Sequence, residues 1–154
     1  MRRFWRIAKR RYALDKSCEG NRAAGGRWNN PGYGALYAAA TIELATLERF
    51  VHTAGIQPAE LVLVAVDVPE DSSLIRRVKV ADLPAGWNSL PASDAARDFG
   101  TGWLKKAAEL VLLVPSVIVP EGINAVINPL HLRYTDVVLN ITRDFEFDPR
   151  MYSG

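Results

Sequence analysis

Apolar positions along the chain fall into short blocks punctuated by Gly, Pro and Asn, and their period changes from block to block. Leu61 to Val68 (LVLVAVDV) is almost unbroken β-branched and aliphatic sequence closed by Pro69, the mark of a strand buried on both faces. Leu36 to Ala39 is a shorter strand candidate. From Thr41 the spacing turns helical, with Ile42, Leu44, Ala45, Leu47, Phe50 and Val51 in register, Thr41 as N-cap and Gly55 as the end. Ser93 to Ala108 is a second helical stretch, weakened by Gly100 and Gly102. Leu110–Val114, Ser116–Val119, Ala125–Ile127 and Asp136–Ile141 are short strand candidates, separated by Pro115, Pro120, Asn128-Pro129 and the Arg133-Tyr134 stretch. Phe145 and Phe147 alternate with polar residues as a last edge strand would. Residues 17–34 and 82–91, rich in Gly, Asn and Pro, predict loops. Several strands and two main helices without regular β-α alternation predict an α+β fold.

At 154 residues the chain predicts one domain spanning 1–154. Apolar residues at 49% and charged residues at 23% are ordinary for a soluble globular domain. A formal net charge of +2 makes no case for nucleic-acid binding. The single cysteine, Cys18, excludes an internal disulfide, and one cysteine with two histidines argues against a zinc site. The longest apolar run, Leu110 to Val119, is ten residues and contains Pro115, too short to span a bilayer. The basic N-terminus lacks the apolar stretch of a signal peptide, so a cytoplasmic location is expected. Within it, Arg2, Arg3, Arg6, Lys9, Arg10 and Arg11 interleave with Phe4, Trp5, Ile7 and Tyr12. That run reads either as a phosphate-binding patch or as a strand or helix with one solvated face. Arg6 stands apart, because Trp5 and Ile7 should anchor the backbone on either side of it.

Phosphate-loop, dinucleotide-fold, zincin and CxxC motifs are all absent. Cys18 lacks a sequence-local base, which argues against a nucleophilic thiol. Three places hold residue types suited to chemistry. In Gly25-Gly26-Arg27-Trp28-Asn29-Asn30-Pro31-Gly32, glycines let the backbone turn so that Arg27 can project as a fixed fork beside the flat wall of Trp28. The same stretch also reads as a tight turn with an exposed arginine and a packed tryptophan. On the helix from Thr41, steps of about 100° put Leu44, Leu47, Glu48, Val51 and His52 in one sector. Glu48 there must find a partner or hold its proton, and His52, one turn on, is within reach of it or of a ligand. Tyr37 precedes that helix, as core or as site. Ser116, between Pro115 and Val117, needs a hydrogen-bond partner or faces a pocket.

These residues fall into an ordered set. Phe4-Trp5-Arg6-Ile7, Gly26-Arg27-Trp28-Asn29, Tyr37-Ala38, Leu47-Glu48 with His52, Leu83-Pro84-Ala85-Gly86-Trp87, Val114-Pro115-Ser116 and Asn124 through Asn128-Pro129 follow one another along almost the whole chain. In this the sequence resembles the RES-domain toxins of bacterial toxin–antitoxin modules. The resemblance implies a fold similar to ADP-ribosyltransferases, with mixed or antiparallel sheets, flanking helices and a cleft for NAD+. It implies cleavage of the nicotinamide–ribose bond and transfer of ADP-ribose to a protein, or to water or phosphate with depletion of NAD+, arresting growth. It places Arg27, Tyr37 and Glu48 as catalytic residues, and Arg6, Arg27, Trp28, Tyr37, His52, Ser116 and Asn128 as cofactor-binding residues, with no metal. It also implies a cognate antitoxin with a helix-turn-helix DNA-binding domain that blocks the site in a hetero-oligomer; the small net charge and short apolar runs predict no direct contact with nucleic acid or membrane. A non-catalytic nucleotide- or protein-binding module is the competing reading.

Overall fold

The computed structural model describes residues 1–152. Seven strands form one mixed sheet: β1 Arg2–Lys9, β2 Leu36–Ala39, β3 Leu61–Val68, β4 Ile75–Arg77, β5 Val111–Pro115, β6 Ile123–Ile127 and β7 Val138–Phe145. Three α-helices accompany them, α1 Glu19–Ala24, α2 Ile42–Phe50 and α3 Asp94–Lys106. The strand order is β4-β5-β6-β2-β1-β3-β7, antiparallel except for the β4–β5 pair. This is the α+β architecture that the sequence predicts.

All eight residues of β3 are buried, because the strand lies between β1 and β7 and is covered on both faces. Val62, Val64, Val66 and Val68 pack with Phe4, Ala8, Leu36 and Leu139 on one face. Leu61 and Leu63 pack with Ile7, Leu44 and Phe145 on the other, under α2. A third cluster joins Trp28, Trp87, Trp103 and Leu104 to Leu112, Val114 and Val126, and seats α3 against β5 and β6. The N-terminal run is therefore a strand, pairing with β3 from Arg2↔Val68 to Lys9↔Leu61. Its junction with β2 is different. The two strands share a single ladder pair, Trp5↔Ala39, so the sheet opens on either side of that pair.

Several expectations change. The helix capped by Thr41, whose side chain accepts from the Leu44 N–H at 3.1 Å, ends at Phe50 rather than Gly55. Thr53 stops it by donating its hydroxyl to the Phe50 carbonyl at 2.8 Å, and Ala54 and Gly55 then take positive φ. Ser116–Val119 is a turn, not a strand. The Ser116 hydroxyl accepts from the N–H groups of Ile118 and Val119 and draws both donors away from any ladder. The 17–34 segment contains the short helix α1, and β4 is a strand that the polar Ile-Arg-Arg triplet does not announce. Phe145 ends β7, which is one long edge strand in place of two short ones. Among the described residues no helix is long and apolar enough to cross a membrane.

Candidate active site

Where β1 and β2 part, a cavity of about 640 Å³ opens, within the roughly 300–1,000 Å³ of small-molecule sites. Its lining draws on β1, β2, α2, the 25–28 loop, the 90–92 segment and the end of β5. Four arginines, Arg6, Arg27, Arg49 and Arg97, line it against one carboxylate, Glu48. The site thus carries a strong excess of positive charge and suits an anionic ligand.

Glu48 is half-buried on the last turn of α2. Its Oε1 accepts from Ser116 Oγ and from Asn124 Nδ2, each at 2.8 Å. No partner engages Oε2 among the described residues. Two neutral donors therefore answer the demand that the helix pattern raised for this carboxylate, and they hold it without neutralising it. Ser116 is fully buried and acts on Glu48 rather than on the cavity, whose wall it does not reach. Asn124, from β6, lines the cavity itself.

Arg27 sits at the tip of a tight turn closed by the Gly26↔Asn29 bridge. Its Nη1 donates to the carbonyls of Trp87 and Ser89, both at 2.9 Å, which ties the 87–92 wall to the turn. Burial pushes its guanidinium pKa down, opposed by the nearby charge of Glu48. Asn29, with no exposed surface, is the hub of the turn. Its Nδ2 donates to the carbonyls of Asn21 and Tyr33, and its Oδ1 accepts the Tyr37 hydroxyl proton. The same Tyr37 oxygen accepts from the Trp28 N–H at 3.1 Å, so Tyr37 clamps the loop while its side chain lines the cavity. Burial holds its pKa well above the ordinary tyrosine value. Trp28 is buried, stacked on Trp87 at 6.4 Å and edge-on to Phe99 at 6.1 Å. It borders the cavity chiefly as core.

Arg6 lines the cavity from β1, and its Nη1 is buried with no hydrogen-bond partner among the described residues. His52 lies beyond the end of α2, exposed at the rim, and makes no hydrogen bond to Glu48 among the described residues, because the helix does not continue to carry it there. Asn128 is placed elsewhere. Fully buried, it donates to the Leu104 carbonyl and accepts from the Leu130 N–H, both at 2.9 Å, so its polar ends serve the β6–α3 packing and it does not border the cavity. The structure thus brings Arg6, Arg27, Trp28, Tyr37, Glu48 and His52 around one space, with Ser116 behind Glu48 and Asn128 apart. Arg49 and Arg97 escaped sequence reasoning, since an arginine on a helix ordinarily faces solvent. Among the described residues no group of three or more His, Cys, Asp or Glu side chains could hold a metal ion.

Residues 3–148 match the family model of the RES domain. The chain is 41% identical over 155 residues to a protein of Sphingobium sp. (strain YBL2) named Prs ADP-ribosylating toxin, covering 96% of this chain and 95% of that protein. It is 37% identical over 151 residues to a protein named Toxin Res from Yersinia enterocolitica, covering 96% and 98% respectively. Among solved structures, the crystal structure of the M. tuberculosis MbcT-MbcA toxin-antitoxin complex aligns with a TM-score of 0.66 at 20% identity, over 97% of this chain and 86% of that one. That last likeness concerns the fold.

Proposed function

The chain belongs to the RES-domain family, and from that premise we propose that it is the toxin of a toxin–antitoxin module that cleaves NAD+ and transfers ADP-ribose. The observation that carries this reading is Glu48, held at Oε1 by Ser116 and Asn124 with Oε2 unpartnered, in the wall of an arginine-lined cavity. Breaking the bond between nicotinamide and C1′ of the ribose sends the electron pair out with nicotinamide and leaves positive charge on the sugar. A preorganised carboxylate stabilises that charge as it develops. The acceptor then bonds to C1′ and releases its proton. Arg6 and Arg27 supply permanent positive charge for the diphosphate. Tyr37 offers a flat wall to nicotinamide or ribose, and His52 at the rim supplies an orienting hydrogen bond.

The Sphingobium relative's name favours a protein as acceptor. Water and phosphate are the other acceptors this chemistry admits. The partner is a cognate antitoxin of the helix-turn-helix kind, in the cytoplasm. Exposed Val51, Leu90 and Ile118 border the cavity mouth and offer it an apolar seat.

Nicotinamide release by the purified chain, freed of antitoxin, tests the reading with Glu48→Gln as control. The amide oxygen of glutamine still accepts from Ser116 and Asn124, so the variant removes the charge and keeps the contacts. Release falling a hundredfold or more in a folded variant supports catalysis by Glu48. Equal release would refute it, and a wild type that binds NAD+ without releasing nicotinamide, even with cell lysate present, would favour a binding module. Cellular proteins gaining the mass of one ADP-ribosyl group would identify a protein acceptor.

A further inference from the structure

Arg49 has no role in the chemistry derived above, yet its position needs explaining. It occupies the last turn of α2, where a cation suits the helix dipole. That placement does not account for the burial of its Nε. Arg49 lines the cavity, and its Nε is buried without a hydrogen-bond partner. Arg6 lines the same cavity from β1, and its Nη1 is likewise buried and unpartnered. The two guanidinium groups lie close enough to repel, so that the charge of Arg49 adds to the effect of burial in lowering the Arg6 pKa. Among the described residues the one carboxylate that acts on Arg6 is Asp15, which accepts from the Ser17 N–H and forms no ion pair with the arginine. Two half-buried cations on one cavity, each with a buried and open donor, form an arrangement that costs stability without an anion and gains with one. A planar guanidinium presents donors in a fork matched to phosphate oxygens.

We propose that Arg6 and Arg49 together form a phosphoryl-binding subsite of the cavity, with Arg49 the residue that selects phosphorylated ligands. Where the NAD+ reading above holds, the phosphoryl group is the substrate's own diphosphate or a free orthophosphate entering as acceptor. The two sources share one chemistry and are separable by probe. Arg27, whose Nη1 is tied to two carbonyls beside Glu48, keeps the part given it above, and Arg49 adds a second set of open donors beside Arg6.

Calorimetric titration of the full chain with ADP-ribose, inorganic phosphate and NAD+, with Arg49→Gln and Arg49→Lys as variants, tests the proposal. Arg49→Gln should weaken ADP-ribose at least tenfold, the effect of losing a charge-assisted hydrogen bond. The ligand-free thermal midpoint should hold or rise, because a charged group with a buried, unpartnered donor has been removed. Arg49→Lys should recover part of the affinity. Phosphate that binds the wild type and displaces ADP-ribose identifies a free-phosphate site, whereas ADP-ribose binding without phosphate binding assigns the diphosphate. Arg49→Gln titrating like the wild type would overturn the proposal. So would a lost affinity accompanied by a fallen midpoint that lysine does not rescue, or a wild type binding neither ADP-ribose nor phosphate. Phosphate bound through Arg49 with no affinity for NAD+ would leave the subsite standing and remove the dinucleotide reading.

Discussion

Oε1 of Glu48 accepts from Ser116 Oγ and Asn124 Nδ2, both at 2.8 Å, and the carboxylate is oriented without an ion pair among the described residues. A salt bridge in that place would spend the negative charge that the proposed reaction needs beside the ribose. Neutral donors align it and leave the charge available. Ser116→Ala tests this directly. It removes one of the two donors and also strips the Ile118 and Val119 N–H groups of their acceptor. We expect nicotinamide release to fall about tenfold to a hundredfold, with a loss of stability near 1–2 kcal/mol for the orphaned donors. Steady-state rates and urea titration measure the two effects separately. A rate unchanged in a folded Ser116→Ala would show that Asn124 alone orients Glu48. The need of Glu48 for a partner was legible in the helix pattern, because a carboxylate among leucines must be satisfied. The identity of those partners was not, since Ser116 and Asn124 lie 68 and 76 residues away.

At the scale of elements, α3 shows how one glycine positions the loop that bears Arg27. A Cβ on Gly100 would stand 1.9 Å from the Trp28 carbonyl oxygen, so the helix reaches the turn bearing Arg27 only because that position has no side chain. The sequence pattern presents Gly100 and Gly102 as equal weaknesses of a helix. In the fold they differ, because nothing lies within 4 Å of a Cβ at Gly102. Gly100→Ala should destabilise by about 3 kcal/mol, at the upper end of overpacking costs since backbone cannot yield as a side chain does. It should also loosen the Asn30 N–H bond to Thr101 Oγ1 and depress activity. Gly102→Ala should stabilise by up to about 1 kcal/mol through helix propensity. Denaturant midpoints of the two variants check both signs. The 116–119 segment is the converse case. Its apolar residues suggest a strand, but one serine hydroxyl redirects two backbone donors and makes a turn.

For the molecule as a whole, two half-buried tyrosines set an alkaline limit. Burial raises the pKa of Tyr37 and of Tyr134, whose hydroxyl donates to the Lys16 carbonyl at 2.7 Å. Above about pH 10 the unfolded chain loses these protons first, so it binds fewer than the folded chain and stability falls as pH rises. Below that pH the pair adds no slope. Urea midpoints measured at pH 8 and pH 11 should show the loss, and Tyr134→Phe should reduce it. From the sequence alone came the α+β class, the buried central strand, the Thr41 cap and the residue types suited to the chemistry. Each is written in local period, capping and composition, which act within a few residues. The tertiary structure alone decided that β1 and β2 part after one pair, that the cavity opens there, that Arg49 turns inward, and that His52 falls beyond its helix. It also assigned Asn128 to packing. Those outcomes depend on strand order and on which distant donors meet in a desolvated space, and local periodicity records only that a position is buried, not what it is buried against.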